Sequence, residues 1–250
     1  MPSILKIDRL VKAFPGVVAL KDVSLELEQG LVYGLVGENG AGKTECLLAA
    51  CGLDRRLGGR VSVDGAPLDG MDIAGSIAAG MVLVPEDRRG QGLVLGLSVQ
   101  ENINLGYERM FANALGLLGG GKERENAAQF IKRLRIKTPG AATPVNTLSG
   151  GNQQKIVLSR CIGRGARVFL LDEPTVGIDV AARTEIYRLI QGLADEGAAV
   201  LVASSDLTEI LEICSRIYVI RGGRIVRELG RAQADEKNLL LYAMGDDADE

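Results

Sequence analysis

Eight consecutive residues, Gly37-Glu38-Asn39-Gly40-Ala41-Gly42-Lys43-Thr44, set glycines, one lysine and one hydroxyl at fixed offsets between an apolar run, 31–36, and an apolar helix starting near Glu45. Glycines let the backbone turn its N–H groups inward around an anion, while the lysine and the threonine hydroxyl suit phosphate and Mg2+. The spacing predicts a phosphate-binding loop in which Lys43 reaches the β- and γ-phosphates of a nucleotide and Thr44 ligates the metal. Val168-Phe169-Leu170-Leu171-Asp172-Glu173 is an apolar strand ending in two carboxylates. That puts both acids at the carboxyl edge of a sheet, where open α/β folds bind ligands. Asp172 is expected to hold Mg2+ through water, and Glu173 to position and deprotonate an attacking water. Between the two motifs, Leu148-Ser149-Gly150-Gly151-Asn152-Gln153-Gln154-Lys155 is a Ser-Gly-Gly turn opening a helix. Ser149 and the Gly151 amide form an anion site there, because free N–H groups and the positive dipole end face one way.

The elements that must carry these groups follow from hydrophobic period. Residues 4–12, 23–28 and 60–64 alternate apolar and polar, as half-buried strands of an antiparallel layer do. Residues 31–36, 81–84, 168–171, 198–203 and 216–220 are short apolar runs separated by helical segments, the pattern of a parallel sheet covered on both faces. The fold class is therefore α/β, a doubly wound P-loop core with an added antiparallel β layer. Residues of about 88–162 break the alternation and read as a helical subdomain, with helices over 99–105, 122–137 and after Gly151. Ala127, Phe130, Ile131 and Leu134 recur at helical spacing, which makes 122–137 an amphipathic helix with a solvated charged face. The Gly-rich stretch 110–121 reads as a short helix and loop. The last five residues hold four acids and are expected to be disordered.

Composition excludes several classes. A chain of 250 residues with 46% hydrophobic and 24% charged residues can bury a core, and its net charge of -3 argues against nucleic-acid binding. Cys46, Cys51, Cys161 and Cys214 lie in apolar segments without Cys-x-x-Cys spacing, so they are expected to be reduced core thiols. Lys6, Asp8 and Arg9 interrupt the N-terminus, and no apolar run approaches the roughly 20 residues that span a bilayer. Neither a signal peptide nor a transmembrane helix is expected.

With the three motifs in this order over about residues 4–229, the chain resembles the ATP-binding subunits of the ABC transporter family. The resemblance implies the ABC ATPase fold, with residues 1–244 as a single domain and 245–250 as an acidic tail. It implies ATP and Mg2+ as cofactors, and two such domains sandwiching ATP head to tail. The loop 37–44 of one then faces Ser149, Gly150 and Gly151 of the other. By the same resemblance Phe14 stacks on adenine, a contact worth about 1–3 kcal/mol where aromatic–base stacking has been measured. Asp179, in Val176-Gly177-Ile178-Asp179, lies in the loop through which the two sites communicate. The implied partners are a second ATPase domain, identical or different, integral membrane permease subunits and, indirectly, a solute-binding protein, with no nucleic acid. The implied location is the cytoplasmic face of the inner or plasma membrane.

Finer wording narrows the resemblance. Val84-Pro85-Glu86-Asp87-Arg88-Arg89-Gly90-Gln91-Gly92-Leu93-Val94, Leu97-Ser98-Val99-Gln100-Glu101-Asn102-Ile103 and the Asn-Gln-Gln-Lys after the signature are similar to the second half of ATPases that import ribose, galactose or xylose. Those proteins usually fuse two halves, whereas this sequence holds one. Its residues 12–20 and its phosphate loop resemble the first half, so it reads as a mosaic. Uptake of a small solute, a carbohydrate, powered by ATP hydrolysis is the implied function.

Two departures from the wider family bear on the rate. Glu86 stands where most members carry Gln; it can accept from water or bind Mg2+, but adds negative charge near the γ-phosphate, where like charges repel. The switch His is replaced in Ser204-Ser205-Asp206, and the sequence contains no His. Ser205 is shorter and uncharged, and losing one such donor typically costs about 10²- to 10³-fold in rate. Both departures resemble the second half of the sugar-importer ATPases, which leaves two readings open: a subfamily trait, or a weakly hydrolysing half that pairs with a competent second ATPase. A soluble ABC ATPase of DNA repair or iron–sulfur assembly fits less well, since neither a long heptad run nor a basic face is present.

Overall fold

The computed structural model describes residues 3–68, 70, 72–106, 111 and 120–245. They form two compact units, one of Met1–Leu83, Ala166–Pro174 and Ile190–Glu250, the other of Val84–Gly165 and Thr175–Leu189. Residues 110 and 112–119 of the expected helix and loop, and the acidic residues 246–250, lie outside the described residues.

The first unit holds two sheets. Strands β1 (Ser3–Phe14), β2 (Val17–Glu28), β4 (Gly58–Val63) and β5 (Ala66–Pro67) form the antiparallel one, in the order β2-β1-β4-β5. Strands β3 (Val32–Val36), β6 (Met81–Val84), β7 (Val168–Asp172), β8 (Ala199–Ala203), β9 (Arg216–Arg221) and β10 (Arg224–Gly230) form the other, ordered β10-β9-β3-β8-β7-β6. Every residue of β3, β7 and β8 is buried, which is why these strands read as unbroken apolar runs. They pair in parallel, as does β9 with β3. Beyond the runs expected from sequence, the sheet carries β10, an edge strand antiparallel to β9. Its sequence, Arg-Ile-Val-Arg-Glu-Leu-Gly, is charged and only partly buried, a composition that blunts an edge but hides the strand from pattern reading.

Helix α1 (Lys43–Ala50) packs on β1, β2 and β7, and its Cys46, Leu47, Ala49 and Ala50 join one core with Ile4, Leu5, Ile7, Leu25 and Leu170. Helix α2 (Ile73–Ala78) follows the antiparallel sheet. Tyr33 and Tyr218 stack with centroids 5.9 Å apart, and both hydroxyls are satisfied by β2 backbone, Tyr33 accepting from Glu28 N–H and Tyr218 donating to the Glu26 carbonyl. The two sheets are thereby stitched to each other by an aromatic pair whose polar tips are all partnered. All four cysteines are buried and free.

The second unit contains α3 (Val99–Asn104), α4 (Gly120–Arg133) and α5 (Gly150–Gly163), and α6 (Val180–Asp195) starts in it. Helix α3 opens with a reciprocal capping box between Ser98 and Glu101. Ala127, Phe130 and Leu134 are buried as the amphipathic reading requires, but α4 ends at Arg133 rather than at 137, and Arg135 turns the chain with φ 50°. The remaining helices, α7 (Leu207–Ile213) and α8 (Glu236–Met244), belong to the first unit. No described helix is long and apolar enough to cross a membrane.

Lys155 on α5 is a buried cation, 2% exposed, and its Nζ donates to Glu185 Oε2 at 2.6 Å and to the Arg135 carbonyl at 3.0 Å. The Lys155 hydrogen bond holds the Glu185 carboxyl below its usual value of 4.5, against a smaller opposing effect of burial. A carboxylate with a depressed folded-state pKa stabilises the fold above its unfolded pKa and loses that contribution as pH falls through the folded value. In urea titrations, the wild type should therefore lose stability relative to Glu185→Gln as pH drops below about 4.5, while the gap is constant near neutrality; parallel profiles would rule the pair out as an acid-sensitive contact.

Candidate functional site

The sheet register sets the site. Leu35 pairs with Ala203 and Ala203 with Asp172, so the ends of β3, β8 and β7 lie in one row. Neighbouring strands are about 4.8 Å apart, so the segments leaving them emerge side by side at one edge. Those segments are the loop 37–42, Ser204 with Ser205, and Glu173.

The loop 37–42 runs from β3 into α1. Gly40 and Gly42 have φ of +80° and +110°, a region that L side chains rarely adopt, and Gly42 is the N-cap of α1. No side chain caps α1, so the positive end of the helix faces the loop. Glu38, Asn39 and Gly40 are exposed, Ala41 donates its N–H to the Glu38 carbonyl, and Thr44 is half-buried in the first turn. The Lys43 ammonium lies across this turn, 6% exposed, donating to the Gly37 carbonyl at 2.8 Å and to that of Glu38 at 3.3 Å. Glycine backbone, a helix N-terminus and a buried ammonium together fit a polyphosphate. Asp172, 3% exposed at the end of β7, and Thr44 offer carboxylate and hydroxyl oxygens, the donor set of a hard divalent cation.

Glu173 has φ 43°, in the left-handed region, and its N–H is anchored on the Ala203 carbonyl at 2.8 Å. Its carboxylate is held by the segment after β8: Oε1 accepts the Ser205 N–H at 2.7 Å, and Oε2 lies 3.3 Å from Ser204 Oγ. Ser205 thus meets Glu173 through its backbone, and its side chain is exposed. A non-glycine residue in this conformation costs on the order of 1–2 kcal/mol, and such strain collects at functional sites. Phe14, at the end of β1, is 44% exposed, with Lys12 Nζ 4.6 Å from its ring centroid. Lys12 is itself fixed by Asp54 at 3.1 Å and the Arg55 carbonyl at 3.2 Å, so one ring face is backed by a cation.

The second unit gathers the other expected residues. Ser149 is the N-cap of α5, and its Oγ accepts from Asn152 Nδ2 at 2.8 Å rather than from the first-turn backbone. A Cβ on Gly151 would come within 2.5 Å of Ala182 Cβ, and one on Gly150 within 2.7 Å of Arg88 Nη2. Gly151 is therefore required by close packing within the unit, apart from any anion it binds, whereas at Gly150 the near group is the tip of the Arg88 side chain. Asp179 caps α6 by accepting the Ala182 N–H at 3.0 Å. Glu86 is exposed, with its carbonyl accepting the Arg88 N–H.

Arg88 joins these pieces; in the sequence it stands within the 84–94 stretch that carries the finer resemblance, with no role of its own. Its Nη1 donates to the Val176 carbonyl at 2.6 Å and its Nη2 to that of Gly177 at 3.2 Å. It sits on a π-helical turn, Arg88–Gly92, which Asp87 caps by accepting the N–H groups of Arg89 and Gly90. One guanidinium thus ties the loop that leads to Asp179 to the π-helical turn, with its tip beside Gly150. In Arg88→Lys a single ammonium cannot span both carbonyls. Amide hydrogen exchange over residues 176–179 should then quicken about 10-fold, the equivalent of one charge-assisted hydrogen bond, and unchanged exchange would remove Arg88 from this role.

The sequence profile of the ABC transporter family matches residues 20–176. The chain is 44% identical over 224 residues to a ribose import ATP-binding protein of Streptomyces avermitilis, covering 90% of this chain and 44% of that protein. It is 46% identical over 222 residues to an arabinose import ATP-binding protein of Pseudomonas syringae pv. tomato, covering 89% and 44%. The chain thus spans under half the length of these two relatives. Among solved structures, a dimeric ATP-binding cassette in a post-hydrolysis state with ADP and Pi superposes with a TM-score of 0.79 at 24% identity, covering 91% of this chain and 99% of that one. A nucleotide-free cassette from an ABC transporter gives 0.81 at 22% identity, covering 96% and 95%. The chain belongs to the ABC transporter family and has the fold of its ATP-binding cassettes.

Proposed function

We propose that the chain is the ATP-binding and ATP-hydrolysing subunit of an importer that takes up a small solute, a sugar of the kind named in its ribose and arabinose relatives. The observation that carries this reading is the single row formed by Leu35, Ala203 and Asp172, which brings a phosphate loop, two carboxylates and the Ser204–Ser205 segment to one edge. In this reading residues 1–244 act as one cassette with a helical subdomain over about 88–162.

The backbone of Gly37, Glu38, Asn39, Gly40, Ala41 and Gly42 wraps the phosphates, and Lys43 turns from its carbonyl partners to the β- and γ-oxygens. Thr44 and Asp172 would hold Mg2+, which would supply charge neutralisation at the transferred phosphoryl group. Phe14 gives the adenine a platform. Glu173 orients the attacking water and takes its proton at the carboxylate, and Ser205 supplies a donor where most of the family has His. Ser149, Gly150, Gly151 and Asp179 serve the nucleotide of a second cassette, identical or different. Permease subunits would hold the pair at the cytoplasmic face of the membrane, and a solute-binding protein would deliver the sugar.

Phosphate release by the purified protein should fall about 10²- to 10⁴-fold in Glu173→Gln, the usual range for removing a general base. The same variant should dimerise only when ATP is added, as read by sedimentation. Equal rates in wild type and variant, with no ATP-dependent dimer, would overturn the reading. A second reading, a weakly hydrolysing half serving a competent partner, is favoured by the exposed side chain of Ser205. It predicts that Ser205→His raises phosphate release by 10-fold or more, an estimate from the worth of one transition-state donor.

A further inference from the structure

Ser204 and Glu209 form a buried polar pair directly behind Glu173. Ser204 is fully buried and Glu209, on α7, is 1% exposed. Ser204 Oγ lies 2.6 Å from Glu209 Oε2 and 3.3 Å from Glu173 Oε2, and it accepts the Asp206 N–H at 3.1 Å. A serine hydroxyl has one hydrogen and two lone pairs, yet two carboxylates flank this one. The contact of 2.6 Å has the length of a hydrogen bond to an ionised carboxylate, whereas 3.3 Å is beyond the ordinary O–H···O range. The hydroxyl hydrogen therefore points to Glu209. One lone pair is taken by Asp206 N–H, and the other faces Glu173 Oε2.

We propose that Glu209 is a positioning residue for hydrolysis: by holding the Ser204 hydroxyl hydrogen, it makes Ser204 Oγ the acceptor for the proton that Glu173 removes from the attacking water. The balance is simple. An O–H bond of water breaks as its oxygen attacks phosphorus, a new O–H bond forms at Glu173 Oε2, and rotation of that O–H about the C–O bond lets it donate to Ser204 Oγ. Ser204 keeps its own hydrogen on Glu209 throughout, so no proton leaves the chain Glu173–Ser204–Glu209. The Ser205 N–H meanwhile holds Glu173 Oε1, and Oε2 is the oxygen that faces Ser204. This assignment rests on Glu173 acting as the general base.

The test is a double-mutant cycle on Ser204→Ala and Glu209→Leu, with Glu209→Gln as the conservative variant, read by steady-state ATP hydrolysis and by infrared spectra of the nucleotide-free protein. Ser204→Ala and Glu209→Leu should each lower kcat about 10- to 100-fold, the worth of a hydrogen bond to a charged group, with KM for ATP unchanged. The double variant should be no slower than Ser204→Ala alone, since Glu209 acts only through Ser204. Glu209→Gln, whose amide oxygen can still accept from Ser204, should restore most of the rate. In the infrared, the Glu173 carboxylate band, assigned as wild type minus Glu173→Gln, should shift alike in Ser204→Ala and Glu209→Leu. Additive losses of kcat, a change in KM instead, or a Glu173 band indifferent to Glu209 would each overturn the proposal. Should the wild type hydrolyse no faster than Glu173→Gln, the ATPase reading fails, while the infrared arm still decides whether Glu209 reaches Glu173 through Ser204.

Discussion

Parallel pairing of β8 with β3 on one side and β7 on the other is the constraint on which the site depends. Because Leu35, Ala203 and Asp172 share a row, three chain segments remote in sequence leave the sheet at the same level. A shift of one residue in either pairing would turn side chains to the opposite face and take Asp172 off the edge. The three strands are buried along their whole length, so the row they form is closed to water on both faces of the sheet.

From that edge the local chemistry follows with few further requirements. The strand β3 delivers the chain into left-handed glycines and then into the uncapped end of α1, while Lys43 waits across the turn on backbone carbonyls. The segment after β8 has a different task. Ser205 binds one oxygen of the Glu173 carboxylate through its amide, and the Ser204 hydroxyl lies 3.3 Å from the other. In the second unit the organising group is instead a side chain, Arg88, gripping two carbonyls.

Much of this could be read from the sequence because it is written locally. The phosphate loop, the apolar strands and the paired acids each declare themselves within a few consecutive residues, and full burial makes the strands unmistakable. What stayed hidden depends on partners far along the chain. The carbonyl that Arg88 grips is 88 residues away, and the Ser204 hydroxyl meets a carboxylate 31 residues earlier. Nothing in Asp87-Arg88-Arg89 distinguishes a bridging guanidinium from a solvated one. The edge strand β10 was missed for a related reason: its charged, half-covered residues lack the period that betrays a strand with one dry face.

The φ of 43° at Glu173 bears on how such a chain would age under mutation. Glycine or asparagine would sit in that backbone with less strain, so for the fold alone a carboxylate is a poor choice at this position. A copy released from its work would find more stable neighbours in sequence space one substitution away, and drift would carry it there. Holding glutamate on a conformation that disfavours it is therefore a cost in stability, and the role proposed for Glu173 in hydrolysis would account for it.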